Sequence, residues 1–193
     1  MDRDLEKKYS KKFVITYVGN TSKRRGLLTV IDSLKIIQKT IPNIKLLIIG
    51  KSSFDQVIKD KIKQNQIEKL VDFIGWIKES DIPNYLSISK LGLSPLHKNI
   101  HHDTTYANKV FQYISIGCPV VSSNVIAQSE LVKKYEIGVI FEDNNVFDLS
   151  DKIIELHNDK NLYSRLKQNC LDSIEKLNNS CLLYTSPSPR DVV

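Results

Sequence analysis

Within the stretch ANKVFQYISIGCPVVSS, residues 107–123, an amide, an ammonium and a second amide stand at Asn108, Lys109 and Gln112. Amides exchange hydrogen bonds with hydroxyls, and an ammonium answers an anion. A helix turns about 100° per residue, so Thr105, Asn108, Lys109 and Gln112 fall within one arc of roughly 100°. Ala107, Val110, Phe111 and Ile114 occupy the opposite arc, which predicts an apolar side on a core and a polar stripe facing ligand or solvent. Gly117 can take the left-handed conformation that ends a helix. Pro119 pushes Cys118 into extended geometry, and Val120 and Val121 then enter a strand. The stripe is therefore expected to be held rigidly.

Two further segments carry chemistry. GNTSKRRG, residues 19–26, sets Lys23, Arg24 and Arg25 before a helix, where free backbone N–H groups favour anions. It matches neither the GxGxxG fingerprint nor a Walker loop, so dinucleotide and P-loop chemistry do not follow. A solvated basic turn is the plain alternative. PLHKNIHHDTTYA, residues 95–107, brings His97, His101 and His102 close in sequence. It reads as an irregular loop whose spacing implies no shared helical face, so a polar, substrate-facing loop is expected and a metal site is not.

The elements that must position these residues alternate. FVITYVG (13–19), NIKLLIIG (43–50) and LVDFIG (70–75) are apolar runs closed by glycine, and LGLSPL (91–96), CPVVSS (118–123) and IGVIF (137–141) are similar runs. Helical spacing begins at Leu27, Val30, Ile31 and Leu34, and further helices are expected over 54–66, from a Ser80 cap, over 128–134 and across 146–178. Alternation of helices with wholly apolar strands argues an α/β domain, a doubly wound, Rossmann-like parallel sheet covered on both faces. In such sheets ligands sit beyond the carboxyl ends of the strands. The three polar segments above all emerge there.

The chain has 193 residues, enough for one domain with a sizeable core. We divide it into a basic N-terminal segment (1–11), a Rossmann-like domain (12–178) and a Ser- and Pro-rich irregular tail (179–193) read as a non-native appendage. Its 28 Lys and Arg against 22 Asp and Glu give a net charge of +6. That excess favours anionic partners such as nucleotide phosphates or acidic lipid surfaces, although lysines also simply solvate helix faces. Cys118, Cys170 and Cys181 are odd in number and far apart, which fits reduced thiols better than a disulfide framework. No apolar run approaches the roughly 20 residues that span a bilayer. The expected setting is cytoplasmic, with peripheral contact to the inner face of a membrane allowed by the charge.

The segments YVGNTSKRRGLLTVIDSL, IKLLIIG, VDFIGWI, LGLSPL and NKVFQYISIGCPVVSS follow one another in the order and spacing of retaining GT-B glycosyltransferases of family 4. Over residues 12–178 the chain resembles the C-terminal, nucleotide-sugar-binding half of that fold. The resemblance implies sugar transfer from a nucleoside-diphosphate sugar with retention of configuration, as in glycan or cell-envelope polysaccharide synthesis. It implies a basic residue gripping the donor diphosphate at Arg25, before Gly26. The loop's earlier Gly-Arg pair is replaced by Gly19 and Asn20, so one phosphate contact is missing. The family's ribose-binding glutamate falls on Gln112, and its partner glutamate on Thr104, with Asp103 beside it off register. Backbone N–H groups near Thr105 and Tyr106 would meet the phosphates, Asn108 and Lys109 match an Asn-Lys pair of some branches, and Gly75 and Trp76 would lie near the base.

The same resemblance assigns Arg25 and Lys109 the stabilisation of the departing diphosphate, with no metal and no cofactor beyond the donor itself. It also implies an N-terminal GT-B domain that holds the acceptor, supplied in cis or in trans. A different reading stays open, a non-catalytic nucleotide-sugar-binding module, motivated by Asn20, Thr104 and Gln112. Nucleic acid is not an expected partner, since aromatic-rich stacking strands and a recognisable binding motif are lacking.

Overall fold

The computed structural model describes residues 2–184. Six parallel strands form one sheet: β1 (Phe13–Val18), β2 (Ile44–Ile49), β3 (Val71–Gly75), β4 (Leu91–Ser94), β5 (Val120–Ser123) and β6 (Gly138–Phe141). Their order is β3-β2-β1-β4-β5-β6, the doubly wound arrangement expected from the alternation. The register runs from Phe13 opposite Ile44 to Val18 opposite Ile49 on one side of β1, and pairs Ile15 with Leu91 on the other. Val14, Ile15 and Tyr17 are wholly buried, as are Leu46, Leu47 and Ile48. That explains why the central strands read as continuous apolar runs, since a parallel sheet hides both faces.

The helices are α1 (Arg3–Tyr9), α2 (Leu27–Thr40), α3 (Asp55–Gln64), α4 (Ile82–Ser87), α5 (Ile100–Thr104), α6 (Asn108–Ile114), α7 (Ile126–Tyr135), α8 (Val146–Asn158) and α9 (Lys160–Tyr184). Helix α2 buries Leu27, Val30, Ile31 and Leu34, the residues whose spacing announced it. One core gathers β1 and β2 with α2 and α8. A second joins Tyr113 and Ile114 of α6 to Val120, Leu131 and Cys170. Cys118 and Cys170 are buried free thiols, and burial pushes the Cys170 thiol up to about 12. Cys181 lies outside the residues whose side chains are described.

The basic segment 1–11 carries α1, capped by Asp2, and Tyr9 is buried with its hydroxyl donating to Asp72 at 2.6 Å. Three expectations change. Ser80 does not cap a helix; a short 3₁₀ turn over Glu79–Asp81 precedes α4, whose first turn is set by Pro83. The loop 95–107 contains α5, because the Asn99 side chain accepts the His102 N–H and nucleates a turn. Finally, α9 continues to Tyr184, so 179–184 extend a helix, and 185–193 lie outside the described residues.

The sheet's switch point lies between β1 and β4, whose following loops part to opposite sides. Helix α6 is fastened across it. Tyr113 projects from α6 with its ring against Gly92, where a Cβ would lie 2.3 Å from the ring carbons. Its hydroxyl accepts from the Val18 N–H and donates to the Leu93 carbonyl, each at 3.0 Å. One phenol thus ties the carboxyl ends of β1 and β4 to α6. Gly117 (φ +70°) and the Cys118 N–H, bonded to the Tyr113 carbonyl at 3.0 Å, end the helix as its sequence predicted.

Replacing Tyr113 by Phe would keep the ring but leave the buried Val18 N–H without its acceptor. Such orphaned groups cost about 1–3 kcal/mol. Urea denaturation of Tyr113→Phe should show a loss of that size with an unchanged far-UV spectrum; parental stability would mean that the hydroxyl bridge does not hold α6.

Candidate functional site

A cleft of about 780 Å³ opens at the carboxyl edge, above the switch point. Its floor is the ends of β1 and β2, Val18–Gly19 and Ile49–Gly50. Gly50 has φ +137°, and a Cβ there would sit 1.9 Å from the Gly19 carbonyl oxygen, so only glycine permits this approach of the two strand ends. Of the residues singled out from sequence, Gly19, Asn20, Arg25, Trp76, Thr105, Tyr106, Asn108, Lys109 and Gln112 line the cleft.

The first loop explains how one of three basic residues is selected. Lys23–Arg25 form a 3₁₀ turn closed by Gly26, whose φ of +74° lets its N–H reach the Lys23 carbonyl. A Cβ on Gly26 would lie 1.6 Å from the Pro95 carbonyl oxygen, so the loop is wedged against the chain leaving β4. Lys23 and Arg24 stay exposed, whereas Arg25 turns into the cleft with its Nε buried and unpartnered. Asn20, standing where an arginine was expected, shapes the loop instead: its Oδ1 accepts the Ser22 N–H at 2.9 Å, and its carbonyl accepts from the Tyr17 hydroxyl. The buried Thr21 hydroxyl donates to the Asp55 carboxylate and shares a hydrogen bond with the Ser52 hydroxyl at 2.9 Å. Helix α2 then starts without a side-chain cap.

On α6 the helical wheel needs correction. Lys109 belongs to the buried side with Val110, Tyr113 and Ile114 and is only 7% exposed, while Phe111 is half-buried. The reason is the position of the helix over the switch point, where the face toward the sheet is also the face toward the cleft. The Lys109 stem runs beside Gly19, whose Cβ would lie 3.6 Å from Cε. Its Nζ stands 3.8 Å from the Tyr17 ring centroid and has no hydrogen-bond partner. Burial, reinforced by the Arg25 charge, holds the Lys109 ammonium pKa well below the usual lysine range. Asn108 and Gln112 remain accessible on the cleft wall. Thr105 is extended (φ −128°, ψ 133°) and lies before the helix, so it reaches the cleft from the loop and not from the stripe.

Two expected residues are elsewhere. The Thr104 hydroxyl donates back to the Ile100 carbonyl at 2.8 Å and does not line the cleft. Gly75 does not line the cleft, although its carbonyl accepts the N–H of the floor residue Gly50 at 2.7 Å. Asp103 accepts the Ile126 N–H at the start of α7. The histidines do not converge. His97 pairs with Asp143 at 2.8 Å, and His102 is buried with Nδ1 at 2.7 Å from the His97 carbonyl, burial holding its pKa below the usual value. Among the described residues no group of three or more His, Cys, Asp or Glu is placed to hold a metal ion.

Sequence reasoning passed over Lys51 and Glu79 as cleft residues, whereas His101, which also lines the cleft, lies in the loop expected to face the substrate. Lys51 was within reach, since it directly follows the glycine that ends β2. Its Nζ stands 5.8 Å from the Trp76 ring centroid, and Trp76 is 65% exposed at the rim. Among the lining residues Glu79 is the sole carboxylate, against Arg25, Lys51 and Lys109. The arrangement sets a positive balance of charge in the cleft, with amides along one wall and an aromatic at its mouth. No helix among the described residues is long and apolar enough to cross a membrane.

Known proteins share this fold and sequence. A capsular polysaccharide biosynthesis glycosyltransferase, CapM of Staphylococcus aureus, is 27% identical over 188 residues, covering 93% of this chain and 47% of that protein. A chitobiosyldiphosphodolichol beta-mannosyltransferase of Candida glabrata is 30% identical over 148 residues, 76% of this chain and 32% of its own. The chain thus spans half or less of the length of these relatives. Among solved structures, Anabaena HepE in complex with UDP superposes with a TM-score of 0.78 at 18% identity, over 91% of this chain and 49% of that one. The C-terminal domain of LpcC from Francisella tularensis, a glycosyl transferase group 1 family protein, gives 0.74 at 18% identity and covers 90% of both chains. The family model for glycosyl transferases group 1 matches residues 2–171, helix α1 included. This chain belongs to the glycosyl transferases group 1 family.

Proposed function

We propose that the cleft is the donor site of a retaining glycosyltransferase and takes a nucleoside-diphosphate sugar. The observation that carries the reading is the pair of buried, unpartnered cationic donors, Arg25 Nε and Lys109 Nζ, at a strand-end cleft. A folded chain leaves such groups unpaired at a cost, and a diphosphate satisfies both at once. Gln112 and Asn108 stand beside them for the ribose and sugar hydroxyls, and Trp76 flanks the base. As the diphosphate leaves, Arg25 and Lys109 balance the charge that develops on it. The crystal structures of HepE with UDP and with UDP-glucose support this choice of ligand class.

The acceptor is presented by a second domain. This chain spans 47% of CapM and 49% of HepE, and the LpcC C-terminal domain offers a precedent for the corresponding unit taken by itself. The transfer reaction therefore belongs to the assembled pair, set at or near the inner face of a membrane. A non-catalytic nucleotide-sugar binder is the second reading, favoured by the displacement of Thr104 from the cleft and the use of Asn20 to brace its own loop.

Isothermal titration of UDP and GDP tests the site. Arg25→Ala and Lys109→Ala should each weaken the better ligand by about 1.5–3 kcal/mol, the scale of charge-assisted hydrogen bonds, while Lys133→Ala, at an exposed position of α7 outside the cleft, should not. Equal losses at all three positions would reduce the effect to general electrostatics.

Gln112→Glu should bind as tightly as the parent or tighter, since a carboxylate accepts hydroxyl protons more strongly than an amide. Gln112→Leu should bind more weakly, and undiminished affinity in that variant would remove Gln112 from the ligand.

A stability measurement adds an independent check. Lys109→Met removes an unsatisfied buried amine, worth about 1–3 kcal/mol, so the melting temperature of the nucleotide-free protein should rise by roughly 2–4 °C per kcal/mol. Added nucleotide should then raise it less than in the parent. A lower melting temperature would show Lys109 to be a structural residue.

A further inference from the structure

Lys109 and Arg25 line the same cleft, and among the described residues no carboxylate forms an ion pair with either. The groups facing Lys109 come from three elements. From β1 comes the Tyr17 ring, whose hydroxyl is committed to the Asn20 carbonyl and kept neutral by burial. From the first loop come the Gly19 backbone and the Arg25 guanidinium. From α6 itself comes Tyr113, neutral and bonded to Val18 and Leu93. Lys51, His101 and Glu79 also line the cleft, but no carboxylate is hydrogen-bonded to Lys109 Nζ. Two cations share a buried space, and only one can discharge. A guanidinium keeps its proton at any ordinary pH, whereas a buried amine gives it up readily.

We propose that a nucleoside diphosphate enters this cleft together with a proton, which Lys109 takes up as it changes from a neutral amine in the empty cleft to the ammonium that holds the phosphates. The step balances simply: the Nζ lone pair forms a new N–H bond with a proton drawn from solvent, and nothing is oxidised or reduced. The inference rests on the donor-site reading above and deepens it. Burial and the Arg25 charge lower the Lys109 pKa in the empty protein, burial being the larger cause. A phosphate anion against Nζ favours the charged form and raises the pKa again. The bound pKa therefore lies above the empty one. Affinity is flat below the lower value and falls as pH rises between the two, by up to about tenfold per pH unit for one linked proton.

The test is calorimetry of UDP and GDP at pH 7.5–9, above the roughly pH 6 titration of a terminal phosphate, in buffers of different ionisation enthalpy. The parent should take up as much as one proton per bound nucleotide. Lys109→Arg, whose charge is permanent, should bind with no uptake and lose the fall in affinity across this range; Lys109→Gln should bind more weakly and without uptake. Binding by the parent without uptake overturns the proposal while leaving the donor site intact. Uptake that persists in Lys109→Arg assigns the proton to another group or to the ligand and also overturns it. No binding of UDP, GDP, ADP or CDP even at pH 6.5 would refute the donor site itself, and this inference with it.

Discussion

The hydroxyl of Tyr113 joins the Val18 N–H to the Leu93 carbonyl, and through that bridge α6 lies across the point where the two halves of the sheet diverge. The two strands pair with each other lower down, at Ile15 with Leu91 and Thr16 with Gly92. Above that pairing their ends would separate without a clamp. Gly92 makes room for the ring, since a side chain there would collide with it. Once the clamp is set, Lys109, four residues before Tyr113 on the same helix face, has only the space beside Gly19 and Tyr17 to occupy.

From that placement follows the electrostatic character of the cleft. Polar groups in a protein interior are ordinarily satisfied. Here Arg25 Nε and Lys109 Nζ both lack partners, close to a floor of glycines whose backbone leaves open space above it. In the proposed donor site these groups would be matched to the ligand, and the fold bears their desolvation in its absence. The rest of the domain compensates with the apolar clusters packed against the sheet.

The two loops that close the cleft are stiffened by their own side chains. Asn20 and Thr21 brace the first, and Gly26 against Pro95 locks it to the second. In the second, Asn99 and His102 hold α5, and Asp103 links it to α7. Positions where family resemblance suggested ligand contacts, Asn20 and Thr104, therefore serve the geometry of the loops that carry their neighbours. Arg25 and Tyr106 are presented to the cleft by those braces.

The sequence alone determined the class of fold, because a parallel sheet buried on both faces leaves continuous apolar strands and a period of 3.6 between them. It also pointed to the carboxyl edge where the cleft opens, since each strand closing in glycine marks where the chain turns upward, and it named half of the residues that line the cleft. Tertiary structure decided which of these are buried and which way they face. A helical wheel separates polar from apolar residues but carries no knowledge of where the cleft opens, so Lys109 read as part of an exposed stripe. Its burial arises from contacts with Gly19 and Tyr17, some ninety residues away in the chain. Likewise the choice of Arg25 over Lys23 and Arg24 depends on a turn wedged against Pro95, and the withdrawal of Thr104 on a helix nucleated by Asn99. Such outcomes follow from long-range packing, which local periodicity does not encode.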